Sequence, residues 1–337
     1  MHLLDEGETM IQALALAAMI LTGCLRFSQA SAQPLLVSQS DDKAYHSLHA
    51  AIDALPPQGG AILIAPGTYR EKVKVSKPGV HIKGTGKQPH DTVIVYGDGA
   101  INVGGTSHSA TLDASGDDFR LDNLTVQNDY SLNPANPPSQ AVALSLTGDK
   151  DVITRVRLLG AQDTLFANKG PNGRMSRQYF LGCYIEGHVD FIFGNAKAYF
   201  RQCELHGLAN HAVVYTAQSR ASPDEDSAYV FDHCRLTADT AARDIALGRA
   251  WRPYAAVIFL STEIDAPVIP DGWREWTPGK TRTLTTAYYA EYKSTGIGAN
   301  PTRREPYAHQ LTDGEAAQWS LKAFFAGAAD WLSYQPN

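Results

Sequence analysis

The chain of 337 residues, 44% of them hydrophobic, is long enough to bury a large core in one domain or in two smaller ones. Its formal charge of −6, with no dominant cluster of Lys and Arg, argues against a general nucleic-acid-binding protein. No internal run approaches the roughly 18 apolar residues that a membrane-spanning helix needs. Any polyanionic ligand must therefore be met by local basic groups and not by the overall charge.

The segment before Gln33 has features of an export signal. An apolar run from Met10 to Leu21 precedes Ala30-Ser31-Ala32, which predicts a secretory signal cleaved after Ala32, although no Lys or Arg stands close before the run. Leu21-Thr22-Gly23-Cys24 also resembles a lipoprotein signal, in which Cys24 would carry a lipid. We therefore expect a secreted or periplasmic protein with one domain over residues 33–337. Lipid anchoring at the outer membrane is the alternative.

Only the two ends of the mature chain have helical patterns. Apolar residues at helical spacing predict an amphipathic helix from Asp42 to Leu55, which Pro56-Pro57 ends. A helical tail is expected after Asp313. Short strands punctuated by Gly and Pro are predicted between them, beginning with Ala61–Ile64, Val80–Gly84 and Thr92–Tyr96.

A three-position pattern then recurs six times. An aromatic or aliphatic residue is followed three positions later by a second residue, usually apolar, and two positions after that by a third. The copies are Leu121/Leu124/Val126, Ile153/Val156/Leu158, Phe180/Cys183/Ile185, Phe200/Cys203/Leu205, Phe231/Cys234/Leu236 and Phe259/Thr262/Ile264.

Short strands that recur at intervals of about 20–50 residues indicate a solenoid, in which equivalent side chains stack from one turn to the next. A β-sandwich is the rival interpretation, but it needs turn signals at spacings of about 8–12 residues. We therefore predict an all-β, single-domain, right-handed parallel β-helix. The N-terminal helix would cap its open edge.

Two segments of this repeat, Val156–Phe166 and Cys183–Phe193, match residue by residue at an offset of 27. Asp163 in the first matches Asp190 in the second. Strands in a sheet lie about 4.8 Å apart, so stacked copies would make the two aspartates near neighbours. Paired carboxylates are costly unless one keeps a proton, which is the condition that an acid–base or nucleophilic site requires.

Three of the four cysteines, Cys183, Cys203 and Cys234, occupy one position in successive copies. Cys183 and Cys203 would be close enough for a disulfide if their side chains rotated towards each other. The alternative is that they are small apolar core residues. Both possibilities stay open, with Cys234 free.

Seven motifs follow one another over roughly residues 40 to 335: Gly67–Glu71, Gln140–Leu144, Gln162–Leu165, Asp190–Gly194, Thr216–Arg220, Leu247–Trp251 and Tyr289–Lys293. In this order they resemble those of the pectin methylesterases, aspartyl carbohydrate esterases of the parallel β-helix class. The resemblance implies hydrolysis of the C6 methyl esters of pectin, a polymer of galacturonate, with release of methanol. It implies no metal and no cofactor. A monomer is expected, because a solenoid with capped ends needs no partner.

The resemblance also assigns catalytic roles. Asp190 would be the nucleophile, and Asp163 the general acid and then the base. Arg249 would keep Asp190 ionised and contact the substrate. Gln140 and Gln162 would donate hydrogen bonds to the developing oxyanion, since neutral amides do not compete with Arg249 for Asp190.

Substrate-binding residues are expected beside these groups. Trp251 would contact a sugar, and Val189 and Phe193 could line a pocket for the methyl group. Two departures from the family pattern affect this region. Ala250 stands where Pro is common, which would loosen the loop that carries Arg249 and Trp251. Ser145 stands where plant members often have Arg, which would remove a substrate contact.

Other functions are compatible with parts of the pattern. An esterase or thioesterase acting on another acyl or acetyl group is the nearest alternative, and a lipid at Cys24 would favour it. A β-helix glycoside hydrolase also uses paired carboxylates. A non-catalytic polysaccharide-binding solenoid would not need both Asp163 and Asp190.

Overall fold

The computed structural model describes residues 33–280 and 282–332. The predicted export signal, with its cleavage site at Ala32 and its alternative lipid site at Cys24, lies outside the described residues. Within them, no helix is long and apolar enough to cross a membrane.

The described residues form 27 strands, numbered in chain order and arranged in three sheets. Sheet A contains β1 (Leu35–Val37), β2 (Gly60–Ile64), β5 (Val80–Gly84), β8 (Arg120–Asp122), β11 (Asp151–Thr154), β14 (Arg177–Leu181), β17 (Lys197–Arg201), β20 (Ala228–Asp232), β23 (Ala256–Leu260), β26 (Tyr288–Tyr292) and β27 (His309–Gln310).

The other two sheets have eight strands each. Sheet B contains β3 (Gly67–Arg70), β6 (Thr92–Tyr96), β9 (Thr125–Asn128), β12 (Arg157–Leu159), β15 (Tyr184–Gly187), β18 (Glu204–Gly207), β21 (Arg235–Ala238) and β24 (Glu263–Ile264). Sheet C contains β4 (Val73–Val75), β7 (Leu112–Ala114), β10 (Leu144–Leu146), β13 (Leu165–Ala167), β16 (Ile192–Gly194), β19 (Val213–Gln218), β22 (Ile245–Arg249) and β25 (Trp273–Arg274).

The helices are short. The α-helices are α1 (Leu48–Ala54), α2 (Ala100–Val103), α3 (Asp313–Ala317) and α4 (Leu321–Phe324). Single 3-10 turns occur at Pro89–Asp91, Thr106–Ser109, Tyr130–Leu132, Pro171–Gly173, Thr283–Thr285 and Asp330–Leu332.

The chain passes through sheets A, B and C in turn and then returns to sheet A, as in β11, β12, β13 and β14. Each of these strands pairs in parallel with its equivalent in the next turn. The predicted parallel β-helix is confirmed. Each turn of the chain is one rung of the solenoid.

The predicted stacking is confirmed in its register. Phe180 pairs with Ile153 on one side and with Phe200 on the other, and the column continues to Phe231 and Phe259. The four phenylalanine rings stack with successive centroid distances of 4.3, 4.6 and 4.8 Å. The third positions of the pattern form a second column inside the solenoid: Val126, Leu158, Ile185, Leu205, Leu236 and Ile264.

No disulfide joins Cys183 and Cys203. Both thiols, and that of Cys234, are free and buried in the solenoid core. Burial raises the pKa values of Cys183 and Cys203 well above the ordinary thiol value. The structure therefore supports the second possibility left open by the sequence, in which the cysteines are small apolar core residues and form no disulfide.

The N-terminal helix is shorter than predicted. It begins at Leu48 and not at Asp42, because the backbone of Tyr45 forms a bridge to Val37 of β1. Ser47 accepts a hydrogen bond from the Ala50 N–H and caps the helix. The buried face of α1 packs against β1 and β4 at the first rungs, so the predicted capping of this edge is confirmed.

The C-terminal tail, here residues 311–332, contains α3 and α4 in the region predicted to be helical after Asp313, and it packs on the outer face of sheet A. Phe324, Phe325 and Trp331 join a buried cluster with Val152 of β11 and Ala290 of β26. The guanidinium of Arg120 on β8 donates a 2.7 Å hydrogen bond to the carbonyl of Trp331. The tail therefore contacts rungs along much of the solenoid.

The phenylalanine column gives a test of the stacked core. Phe200→Ala should lower the free energy of unfolding by about 3–5 kcal/mol, because the fully buried ring leaves a cavity between Phe180 and Phe231. Urea denaturation measures the change. Ile297→Ala, at a side chain that is 78% exposed, is the control and should change stability by less than about 0.5 kcal/mol. Equal effects of the two substitutions would contradict the stacked-core interpretation.

Candidate active site

The two predicted aspartates lie side by side where the chain turns from sheet B into sheet C. Asp163 precedes β13 and Asp190 precedes β16, and the pairing of Leu165 with Ile192 sets these strands in register. The Asp163 N–H donates a 3.1 Å hydrogen bond to the carbonyl of Val189 on the next rung. Both aspartates have left-handed backbone angles, φ 64° and 53°, which Asp tolerates better than most residues.

Arg249 lies at the end of β22, two strands along sheet C from β16, the strand that Asp190 precedes. Its guanidinium pairs with the Asp190 carboxylate. Its Nε donates to Oδ1 at 2.8 Å and its Nη2 to Oδ2 at 2.6 Å, which is a bidentate pair. The Trp276 ring lies 4.3 Å from the guanidinium carbon and supports it through a cation–π contact. The neighbouring Ala250, which departs from the family pattern, is fully buried.

The surroundings of Asp163 and Asp190 affect the pKa values of the two carboxyl groups differently. Burial, followed by the negative charge of Asp190, raises the pKa of Asp163 well above its ordinary value. Burial also raises the pKa of Asp190, but the hydrogen bonds and positive charge of Arg249 oppose that shift. The pair therefore favours a protonated Asp163 beside an ionised Asp190.

Gln140 and Gln162, on consecutive rungs, lie beside the two aspartates. The Ala141 N–H donates a 3.0 Å hydrogen bond to the carbonyl of Gln162, and the Ala100 N–H of α2 donates to the carbonyl of Gln140 at 2.8 Å. The Gln162 side chain acts to lower the pKa of Asp163, opposing the larger effect of burial. Both glutamines thus line the same cleft as the aspartate pair, and their role as oxyanion donors stays a prediction.

These groups open into a cleft of about 500 Å³ on the outer face of sheet C. Phe193 and Trp251, the predicted substrate contacts, both line it. Val189 is half-buried and is not among the lining residues of this cleft, so a contact with the methyl group is still only a prediction. The complete lining is Thr106, Ser107, Gln140, Gln162, Asp163, Phe166, Asp190, Phe193, Ala217, Arg249, Trp251 and Trp276.

Sequence reasoning missed several of these residues. Phe166 stacks on Phe193 with a centroid distance of 4.6 Å, and their matching positions in the two copies of the repeat were a usable signal. Trp276 lies 6.2 Å from Trp251 in a short segment with no repeat to align it. Thr106 and Ser107 had no signal, because the 3-10 turn that carries them has no counterpart in other rungs.

The Ser145 departure also has a structural counterpart. Ser145 is buried next to Phe166 on sheet C, and its hydroxyl donates a 2.9 Å hydrogen bond to Oδ1 of Asp113 on the preceding strand. This stretch of the sheet C surface therefore carries a carboxylate and a hydroxyl, where an Arg would have placed a positive charge.

The site suits acyl transfer. An ionised carboxylate held by a guanidinium can act as a nucleophile, a neighbouring neutral carboxyl can donate a proton, and two amides can bind an oxyanion. Within residues 33–280 and 282–332, no three His, Cys, Asp or Glu side chains are grouped so as to hold a metal ion. A parallel β-helix that carries such a site has the features of a carboxylic ester hydrolase.

Comparison with known families identifies the family of carboxylic ester hydrolases to which the chain belongs. The family model for pectinesterases matches residues 34–328. Probable pectinesterase 8 of Arabidopsis thaliana is 33% identical over 305 residues, which cover 86% of this chain and 74% of that protein. Pectinesterase 2 of Olea europaea is 32% identical over 335 residues, covering 96% and 87%. The chain belongs to the pectinesterase family.

Solved structures agree with this assignment. The pectin methylesterase from carrot has a TM-score of 0.80 and 27% identity, covering 91% of this chain and 98% of that one. A pectin methylesterase in complex with a hexasaccharide has a TM-score of 0.73 and 28% identity, covering 90% and 98%.

The raised pKa of Asp163 predicts a stability effect. The folded protein keeps this proton at pH values where the unfolded chain has lost it, so the contribution of Asp163 to stability falls as pH rises from about 4. Asn cannot lose a proton. Asp163→Asn should therefore become increasingly more stable than the wild type between pH 4 and pH 7, as measured by unfolding midpoints.

The control for this prediction is Asp224→Asn, at an exposed aspartate away from the cleft. Its midpoint should differ from that of the wild type by the same amount at both pH values. If Asp163→Asn behaved in the same way, the buried carboxyl would not be destabilising the fold at neutral pH.

Proposed function

We propose that this protein hydrolyses the C6 methyl esters of galacturonate units in pectin, with Asp190 as nucleophile and Asp163 as general acid and base. The bidentate pairing of Asp190 with Arg249, beside a carboxyl of raised pKa, carries the proposal. Family membership supports the reaction. The hexasaccharide bound to a similar pectin methylesterase supports a polysaccharide substrate.

In the first step, a carboxylate oxygen of Asp190 attacks the ester carbonyl carbon. The amide groups of Gln140 and Gln162 stabilise the oxyanion that forms. The bond to the methoxy oxygen then breaks, and Asp163 gives its proton to that oxygen, so that methanol leaves. The galacturonyl group stays attached to Asp190 as an anhydride.

In the second step, water attacks the galacturonyl carbonyl of this anhydride. Asp163, now ionised, takes a proton from the water. The bond between the acyl carbon and the Asp190 oxygen breaks, leaving an ionised Asp190 and a galacturonic acid carboxyl group, which loses the remaining proton of the water molecule to solvent. In the resting site Arg249 donates two hydrogen bonds to the Asp190 carboxylate. This pairing favours Asp190 as a leaving carboxylate in the second step.

The test is methanol and acid release from highly methylated pectin at constant pH. Wild-type protein should release methanol without cutting the chain, and Asp190→Asn should lose at least about a thousandfold in kcat, because the amide cannot form the anhydride. Reducing-end and unsaturated-product assays measure chain cutting, and Asp224→Asn is the control. Chain cutting would indicate a glycoside hydrolase or lyase, and a folded wild type without methanol release would point to another ester.

We also infer that the protein is exported, because pectin is an extracellular polymer and the segment before Gln33 has signal features. The mature protein should begin at Gln33 and be found in the medium or periplasm, as shown by intact mass. A membrane-bound chain beginning at a lipidated Cys24 would establish the alternative anchor. A cytoplasmic chain that still carries Met10–Leu21 would contradict export.

A further inference from the structure

The peptide groups of Val189 lie between the two aspartates. Its carbonyl accepts the hydrogen bond from the Asp163 N–H at 3.1 Å, and the next residue in the chain is Asp190. Its own N–H donates to Nδ1 of the His188 ring at 2.8 Å. The backbone of Val189 is thus bonded on one side to the acid–base residue and on the other to a histidine ring.

The backbone of His188 is itself fixed by the neighbouring rungs. Its N–H donates to the carbonyl of Ala161 at 2.9 Å, and its carbonyl accepts from the Val214 N–H at 2.7 Å. The ring is half-buried and does not belong to the lining of the cleft, so it does not face the reacting ester. Its bond to Val189 is the contact through which it can affect the reaction.

We infer that His188 is a positioning residue, whose neutral ring accepts a hydrogen bond from Val189 and thereby sets the placement of Asp190 relative to Asp163. This inference rests on the proposed esterase function. Left-handed backbone at both aspartates makes their placement depend on such bonds. Small displacements of a catalytic group reduce the rate strongly, because attack requires close and aligned atoms.

Nδ1 can accept this bond only when it carries no proton, so the proton of the neutral ring is on Nε2. Burial lowers the pKa of His188 and favours that neutral form. The ionisable groups bonded to this turn are Asp163, whose N–H donates to the Val189 carbonyl, and Asp190 with its partner Arg249. Acid would protonate Nδ1 and break the bond to Val189.

Two substitutions separate this role from a packing role. Asn places its Oδ1 near the position of Nδ1 and accepts without titrating, whereas Ala has no acceptor. On highly methylated pectin at pH 7, His188→Ala should lower kcat about tenfold with KM unchanged within about twofold, while His188→Asn keeps kcat within about twofold of the wild type. His49→Ala, at an exposed histidine of α1, is the control for loss of an imidazole and should leave kcat unchanged.

The pH profile gives a second measurement. Protonation of Asp163 and Asp190 affects the wild type and His188→Asn alike, so it cancels in the ratio of their kcat values. The ratio of wild-type kcat to His188→Asn kcat should fall as pH is lowered below about 6.5, because only the wild type loses its acceptor.

Equal kcat values for the wild type and both variants would overturn the positioning role. Equal losses in His188→Ala and His188→Asn would also overturn it, because they would show that the ring matters for something other than its acceptor. A constant kcat ratio across pH would contradict the acceptor role of the neutral ring. A folded wild type that releases no methanol would overturn the proposed function and this inference together, which distinguishes that failure from the others.

Discussion

Parallel, in-register pairing of the rungs is the constraint on which this molecule depends. It makes neighbours of residues that are far apart in the chain, such as Asp163 and Asp190, and it brings Arg249 to Asp190 over 59 positions. A shift of one residue in the pairing of β13 with β16 would turn the outward side chains of β16 inward. The fully buried pair of Leu165 and Ile192 opposes such a shift, because it would move apolar side chains out of the interior. The apolar core therefore sets the geometry of the polar site.

Buried ion pairs alone do not distinguish the site from the scaffold. Arg304 and Glu291 are almost completely buried and form a bidentate pair at 2.6 and 3.2 Å. The Arg304 guanidinium also donates to backbone carbonyls such as that of Gly298, so this pair is enclosed by the fold. Arg249 is 26% exposed and stands at an open cleft beside a second carboxyl of raised pKa. The two pairs therefore differ in two ways: only the Arg249–Asp190 pair is accessible from a cleft, and only it has a second carboxyl group, that of Asp163, beside it.

The features that could be predicted from the sequence are those that repeat. Both columns of the core, and the matching of Asp163 with Asp190, follow from a recurring spacing. Features that occur once in the chain left no such signal. Trp276 belongs to a short segment without an equivalent rung, and the start of α1 is decided by a tertiary bridge between Tyr45 and Val37 that overrides local helical spacing. The state of the cysteines depends on side-chain direction, which spacing does not encode.

The tail over residues 311–332 changes how the solenoid responds to unfolding. In a simple array each repeat contacts only its neighbours, so the stack can open from one end, one repeat at a time. Here the tail contacts Arg120 of β8, Val152 of β11 and Ala290 of β26. Rungs far apart in the stack thus share one apolar cover, and its detachment affects all of them at once. The tail therefore couples rungs that a simple solenoid would leave independent, and the rungs of Asp163 and Asp190 lie inside the span that it joins.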